Sequence, residues 1–459
     1  MQHPLHRSMS RPGMAGVLGL VITASASAQT DSTTALDRQV DEAFRLVQQQ
    51  PQDLAQWSRY AQLLIRSGNY EGGVAALERL LLEPNPSPEL RVEIALLYFR
   101  LASYDMAESM VRQALADDRL QGDKRAVAEA LLVNTTQRNK RSQIGGSASF
   151  GYRHQSNPTY RSDRDQVLSG GVLGPLAADQ RPASDNDFNV GLRLQHQYDL
   201  ERQNSAAIVS TLGAYVVDYR HTSGRDIQAT PTKPYDLQVL DFSTGLQFKP
   251  SPAKLPGLTL RPHVLLSDVV AQGHQFLRNA GLGVDMLWRL NERTLIELGA
   301  NGQHRDFASR ADVTDAALLD GRLWSLRARV ARETAPGQEL AGEYILRHNS
   351  TARDYYDYTS HEVRVTYSII YASPFKDSSY WTTALWVGAL RRNYGGPDPA
   401  VIATDTRHDR EWRLGVNQIV RITPVWNVVL TAEHARNQAT LPNFRYKNTS
   451  VSASVLRTF

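Results

Sequence analysis

Apolar and polar residues alternate along short runs over the last two thirds of the chain. In the run Ala280–Leu290, apolar Leu282 and Val284 alternate with Gly283 and Asp285. Successive side chains of a β-strand point to opposite faces of the sheet, so one face can contact lipid while the other contacts water. The same alternation recurs at residues 188–194 and 412–416. The pattern predicts an outer-membrane β-barrel.

About fourteen such runs define the predicted barrel domain, residues 143–459. An even number of strands is expected of a bacterial barrel whose two ends lie on one side of the membrane. The connections 157–185 and 222–234 are long, whereas 201–205 and 335–337 are short, as is typical of outer loops and periplasmic turns. The predicted strands lie at residues 145–156, 186–200, 206–221, 235–250, 258–272, 276–291, 294–308, 319–334, 338–351, 357–373, 379–394, 408–423, 425–439 and 444–459.

Residues 35–142 have a helical period instead and predict an all-α domain. Two segments repeat at a spacing of 34 residues, the period of the tetratricopeptide repeat (TPR). The residues that match at this spacing are small or aromatic: Ala61 and Ala95, Tyr70 and Tyr104, Gly73 and Ala107. Flanking helices at 36–50 and 123–138 are expected to cover the ends, because a lone repeat cannot bury its apolar face. The predicted fold is a TPR superhelix followed by an antiparallel transmembrane barrel of about fourteen strands.

Repeat arrays of this kind offer a concave surface to a peptide or protein. Six residues are expected to line that surface because of their place in the repeat: Gln62, Ile65, Arg66, Leu96, Phe99 and Arg100. The alternative role for most of these residues is packing between repeats. The alternative interpretation of the whole domain is a generic pair of helical hairpins that binds no partner protein.

The first 28 residues predict a cleavable secretory signal. Basic residues up to Arg11 precede an apolar run from Met14 to Ile22, and the small residues Ala26 and Ala28 follow it. We expect cleavage after Ala28. Export places the barrel in the outer membrane and the helical domain in the periplasm.

Composition and the absence of catalytic motifs exclude several kinds of functional site. The net charge of +4 and the absence of a Lys/Arg run do not favour nucleic-acid binding. The chain has no cysteine, which excludes disulfides, thiolate nucleophiles and cysteine-based metal sites. No metalloprotease, nucleophile-elbow or Walker-type motif occurs. We expect no enzymatic activity, no metal and no cofactor.

Charged residues fall on the face of the predicted strands that is opposite the apolar face. An inward face of this kind can pair its charges across strands, or it can favour an anionic polymer or polypeptide. The residues expected in the lumen are Arg193, Asp285, Arg289, Arg327, Arg329 and Arg413. The last strand ends in Phe459, and a terminal Phe is similar to the signal that the barrel-assembly machinery recognises.

The segment His154-Gln155-Ser156-Asn157 is similar to the His-x-Ser-Asn segment of outer-membrane phospholipase A. In that family a His activates the Ser, and an Asn further along orients the His. Pro158 replaces the family's Gly here, and Leu168 stands where the orienting Asn is expected. A polar strand end is the ordinary explanation, so a phospholipase remains a remote alternative.

The order of signal peptide, short TPR array and barrel resembles the surface lipoprotein assembly modulator family. The segment Ser373-Pro374-Phe375-Lys376-Asp377, the strand Trp381–Arg392 and the closing hairpin Leu414–Tyr446 carry the resemblance. It implies a protein whose TPR domain receives a client lipoprotein or secreted protein, and whose barrel serves as conduit or template. We expect the protein to be monomeric. A weak seam between the first and last strands, 145–156 and 447–459, would be one route.

Two other functions stay open. Exporters of cellulose and of poly-N-acetylglucosamine also join TPRs to a barrel, although they usually carry more repeats and about sixteen strands. That alternative predicts an open lumen lined by aromatic and polar residues. A plain porin would leave the helical domain without a role.

Overall fold

The computed structural model describes residues 31–200, 205–222, 227, 232–252, 254–375 and 379–459. The predicted signal peptide lies outside the described residues. The chain divides into two compact units, one formed by the helices and one by the barrel. Among the described residues, no helix has both the length and the apolar character needed to cross a membrane.

Six helices form the first unit. Asp53 caps the second helix, because its side chain accepts hydrogen bonds from the backbone N–H groups of Ala55 and Gln56. Ser87 caps the fourth, in which Pro88 takes the first position. The helices are α1 Asp31–Gln49, α2 Leu54–Arg66, α3 Tyr70–Leu80, α4 Pro88–Arg100, α5 Tyr104–Leu115 and α6 Gly122–Arg138.

The helices repeat at the spacing that the sequence predicts. Helices α2, α4 and α6 begin 34 residues apart, and so do α3 and α5. The small residues Ala61, Ala95 and Ala107 are fully buried. A Cβ atom on Gly73 would lie 2.8 Å from Ile65 Cγ1, so the glycine permits the close approach of α3 to α2. The repeated small residues are therefore required by helix packing.

The second unit is a closed antiparallel barrel of fourteen strands, which confirms the predicted number. A separate two-stranded hairpin, β2 Gln166–Ser169 and β3 Val172–Pro175, lies in the first long connection. The barrel strands are β1 Ser142–Gln155, β4 Asp185–Asp199, β5 Ala206–Tyr219, β6 Leu237–Phe248, β7 Leu258–Ala271, β8 His274–Asn291, β9 Thr294–Phe307, β10 Gly321–Ala335, β11 Gln338–Thr351, β12 Tyr358–Ala372, β13 Tyr380–Tyr394, β14 His408–Arg421, β15 Trp426–Ala439 and β16 Tyr446–Thr458.

The barrel has two distinct ends. We call the end where β1 begins and β16 finishes the turn end, and the opposite end the loop end. The β9–β10, β13–β14 and β1–β4 connections all lie at the loop end, whereas β8–β9 and β10–β11 are joined at the turn end by two-residue turns. Gly337 has φ +72° in the β10–β11 turn, a conformation that glycine adopts without strain.

The outer wall carries the apolar residues. Phe150 and Tyr152 on β1 are 56% and 44% exposed, whereas Ser149 and Gly151 between and beside them are buried. Leu282 on β8 and other apolar side chains at alternate positions of the remaining strands are exposed in the same way. A closed barrel with an apolar outer wall is the form in which β-strands cross a membrane, and it places the protein in the outer membrane.

Candidate functional site

Two of the predicted lumen arginines belong to an ion-pair lattice across β9, β10 and β11. Arg327 Nε donates to Glu343 Oε1 at 2.5 Å, and its Nη1 lies 3.3 Å from Glu297 Oε2. Arg329 donates to the other oxygen of Glu297 at 3.3 Å and to Glu339 at 3.0 Å. These side chains are partly exposed and lie on the inward face. The lattice pairs these two arginines with glutamates on both neighbouring strands.

The other predicted lumen residues also occupy inward positions. Asp285 lies 3.5 Å from both Arg261 Nη1 and His263 Nδ1. Arg413 donates to Glu411, a nearly buried carboxylate. Arg193 and Arg289 are exposed on the inward face toward the turn end. The inward face at this end is therefore charged and accessible to solvent.

The inward face at the loop end is packed instead. Inward side chains from nearly every strand are buried there, where they contact other protein groups, including loop residues such as Asn157. Between β6 and β9 the packing is apolar, around Val269, Leu277 and Phe307. On the remaining strands it is largely polar: Gln155, Asp187, Asn349, Ser360, Arg392, Asp409, Glu411, Asn437, Tyr446 and Asn448. We call these polar residues the loop-end layer.

Hydrogen bonds tie the loop-end layer together across strands. Arg153 Nε on β1 donates to Asp187 Oδ2 on β4 at 2.8 Å. Gln155 donates to the same carboxylate oxygen at 3.2 Å and to Tyr219 Oη at 3.1 Å. Tyr446 donates to Glu411 across β15. Since these contacts join residues far apart in sequence, neither spacing nor alternation could reveal them.

The junction of β1 and β16 is continuous. The two strands pair from Ser147 opposite Thr458 to Gln155 opposite Ser450. Backbone hydrogen bonds between Gly146 and Phe459 extend the pairing at the turn end. At the loop end, the side chains of Asn157 and Asn448 extend it further. The pairing is unbroken from Ser147 to Gln155, and a weak seam stays a prediction.

His154 and Ser156 have separate partners in the structure. His154 Nδ1 lies 2.8 Å from Asn186 Oδ1 on β4. Ser156 Oγ accepts from the Thr449 N–H at 2.8 Å and lies 3.4 Å from Asn448 Oδ1. An Asn thus does contact His154, but from position 186 rather than from the position of Leu168. The contacts of Ser156 complete the junction of β1 and β16.

The six residues predicted on the helical surface divide into two groups. Gln62, Arg66, Leu96 and Arg100 are exposed. Ile65 and Phe99 are half-buried, and each packs against a helical core, so packing between helices is part of their role. Arg100 stacks on the Tyr70 ring at 5.3 Å, and Arg138 stacks on the Phe99 ring at the same distance. The four exposed residues of this predicted surface therefore include two arginines and one large apolar side chain, Leu96.

Two ionisable groups in the helices are perturbed by their neighbours. Burial, followed by a 2.5 Å hydrogen bond to Glu78, raises the pKa of Tyr98 to about 12. A hydrogen bond from Arg112 lowers the pKa of Glu108. Both contacts link helical turns or neighbouring hairpins, which indicates a structural role.

Comparison with known proteins gives a likeness of fold. No family model matches the chain, and no curated protein matches it. The COG4313 outer membrane channel from Pseudomonas putida F1 is 12% identical, with 69% of this chain and 96% of that chain covered and a TM-score of 0.35. A Pseudomonas aeruginosa FadL homologue is 9% identical, with 71% and 91% covered and a TM-score of 0.36. Acinetobacter baumannii OccAB3 is 10% identical, with 69% and 99% covered and a TM-score of 0.34.

Proposed function

We propose that this chain helps client proteins, surface lipoproteins among them, to reach the outside of the cell. One observation carries the proposal: helical hairpins with a 34-residue period and a fourteen-stranded barrel occur in the same chain. Helical hairpins at this period are TPR-like units, which bind peptides and proteins. The same combination supports the resemblance to the surface lipoprotein assembly modulator family.

In this proposal, the turn end of the barrel faces the periplasm and the helical unit receives the client there. Both barrel termini lie at that end, as in bacterial barrels whose ends are periplasmic. The exposed residues Arg66, Leu96 and Arg100 offer the client charge and apolar surface. The protein acts as a monomer, contacts outer-membrane lipid, and is inserted by the barrel-assembly machinery through a signal that includes Phe459. It requires neither catalysis nor a cofactor.

The barrel contributes a route or a template for the client. Its accessible turn end admits charged groups, whereas the buried loop-end layer favours controlled passage over free diffusion. An exopolysaccharide exporter, the main alternative, needs a lumen that is open along its length, and the packed loop end gives that alternative less support. The paired junction of β1 and β16 favours the lumen over the seam as the route.

The deciding experiment compares the surfaces of cells with and without the intact chain. Intact cells are treated with protease, and the released peptides are identified by mass spectrometry, while exopolysaccharide is measured in parallel. We expect one or a few surface proteins to disappear and exopolysaccharide to stay constant. Loss of exopolysaccharide with an unchanged set of surface proteins would replace this proposal with the exporter.

A further inference from the structure

A group of polar side chains at the loop end is buried without complete hydrogen bonding. Ser360 and Arg392 face each other in the register of β12 and β13, and so do Tyr358 and Tyr394. All four are less than 9% exposed. Tyr358 Oη, Ser360 Oγ and Arg392 Nε have no hydrogen-bond partner within the described ranges. Buried polar groups are nearly always bonded, since an unmet donor or acceptor destabilises the fold.

Positive charge exceeds negative charge around this group. Both oxygens of Asp409, which faces Arg392 on β14, accept hydrogen bonds from Arg407, at 3.0 and 2.7 Å. The guanidinium of Arg392 itself lies over the Tyr358 ring, 4.9 Å from its centre. The charge of Asp409 also acts on Arg392. One carboxylate therefore serves two guanidinium groups, those of Arg392 and Arg407, which leaves one positive charge in excess among the three groups.

A second arginine approaches the same group from another strand. Arg305 on β9 donates through Nη1 to Asn349 Oδ1 at 3.0 Å. Asn349 faces Tyr358 in the register of β11 and β12, so Arg305 lies on the side of Tyr358 that is opposite Arg392. Asn349 is a neutral partner. Two guanidinium groups therefore flank one tyrosine in the loop-end layer.

We propose that Arg392, together with Tyr358, Ser360 and Arg305, binds a carboxylate inside the loop end of the barrel. The planar guanidinium offers parallel N–H groups that match the two oxygens of a carboxylate. The two hydroxyl groups donate to the remaining lone pairs of those oxygens. One bound carboxylate thus adds a second anion beside Asp409 and supplies the missing hydrogen-bond acceptors. The site is independent of the client proposed above.

A carboxylate of this kind belongs either to a small solute or to an acidic polypeptide. The test uses the full chain in detergent and measures binding of sodium acetate by calorimetric titration, with a capped Glu-Glu dipeptide in a second titration. Both probes are expected to bind the natural sequence. Tighter binding of the dipeptide assigns the site to acidic polypeptides, and equal or weaker binding assigns it to small solutes.

Three variants make the test specific. Arg392→Gln is expected to weaken acetate binding about tenfold or more, as for the loss of a hydrogen bond to a charged group. Arg392→Lys keeps the charge but loses the planar fork, so an intermediate affinity is expected. Arg391→Gln removes the same charge from the adjacent exposed position on β13 and is expected to bind as the natural sequence does. Heat-dependent mobility in gel electrophoresis confirms that each variant holds a folded barrel.

The results that would overturn the proposal are equally definite. Acetate binding that is absent from the natural sequence excludes the site. Binding of equal strength in Arg392→Gln and the natural sequence places the carboxylate elsewhere. Neither result bears on client delivery, which is measured on cells.

Discussion

The fully buried Asp187 on β4 accepts a 2.8 Å hydrogen bond from Arg153 on β1. Asp187→Asn leaves the Arg153 guanidinium, whose side chain is 24% exposed, without its counter-charge. We expect the free energy of unfolding of the barrel to fall by about 3–5 kcal/mol, the usual effect of removing one partner of a buried ion pair. Denaturant unfolding in lipid vesicles measures it.

The matched control is Asp268→Asn, which removes the same charge from an exposed pair with Arg278. Its expected effect is within about 1 kcal/mol. Equal losses in the two variants would show that Asp187 contributes no more than a surface carboxylate.

A disulfide across the junction of β1 and β16 tests whether the junction opens during function. Ser149 faces Leu456 across the junction. Hydrogen-bonded and non-hydrogen-bonded pairs alternate along antiparallel strands, and Gly146 and Phe459 form a hydrogen-bonded pair. Ser149 and Leu456 lie three positions further along, so they form a non-hydrogen-bonded pair with Cα atoms about 4.5 Å apart. That spacing suits a disulfide. We expect Ser149→Cys with Leu456→Cys to cross-link under oxidation and to leave client display unchanged.

Because the chain has no other cysteine, the single variants are clean controls. Client display that stops on oxidation and resumes with a reducing agent would show that the junction must open, and the lumen would no longer be the favoured route.

Leu96→Asp is expected to reduce client display. Leu96 is the apolar side chain of the exposed α2–α4 surface and is 38% exposed, so a charge there removes apolar contact with a partner while changing stability little. Met106→Asp is the control, because Met106 on α5 is 41% exposed and lies outside the predicted surface. Surface proteolysis followed by mass spectrometry compares the two. An equal loss in both would point to general damage to the helices.

Phe459→Ser is expected to lower the amount of folded barrel in the outer membrane. The backbone of Phe459 pairs with Gly146, and a serine keeps that pairing, so the change isolates the ring, which is 54% exposed. Phe375→Ser changes another exposed phenylalanine and is expected to have no effect. Gel mobility before and after heating reports the folded fraction. Equal folded fractions in all three proteins would remove the terminal ring from the assembly signal.

The stability of the helical unit is expected to fall between about pH 10, the ordinary pKa of tyrosine, and pH 12. The pKa of Tyr98 is raised to about 12 in the folded chain, so folding disfavours its ionised form. Its contribution is complete below the unfolded pKa and is lost as pH rises toward the folded value. Tyr98→Phe reduces this dependence to the part contributed by other groups, such as Tyr60, whose pKa is also raised by burial. Thermal unfolding at a series of pH values measures the difference. Parallel curves for the two proteins would contradict the assignment.

The strands could be placed from the sequence because alternation is a local property. The predicted strand at 338–351 coincides with β11, and the predicted helix at 123–138 differs from α6 by one residue. The inward arginines could be assigned to a face for the same reason. Their partners could not, since the partner of Arg327 or Arg153 depends on which strands are adjacent and on their register.

Other contacts could not be predicted because long connections separate the contacting residues in the sequence. The β2–β3 hairpin lies between β1 and β4, so a fixed offset from His154 leads to Leu168 on the hairpin rather than to Asn186 on the neighbouring strand. The loop-end layer was missed for a related reason. Asp409 and Glu411 alternate like any other strand residues, and their cross-strand neighbours, Arg392 and Tyr446, follow only from strand order and register.

The two ends of the barrel interior differ in a way that matters to the cell. A wide, permanently open barrel would let nutrients, antibiotics and ions equilibrate across the outer membrane. Here the loop-end layer holds its buried charges in cross-strand hydrogen bonds, so widening the channel means exposing and separating them at a cost of several kcal/mol. If a client passes through the lumen as proposed, its passage requires an event strong enough to offset that cost.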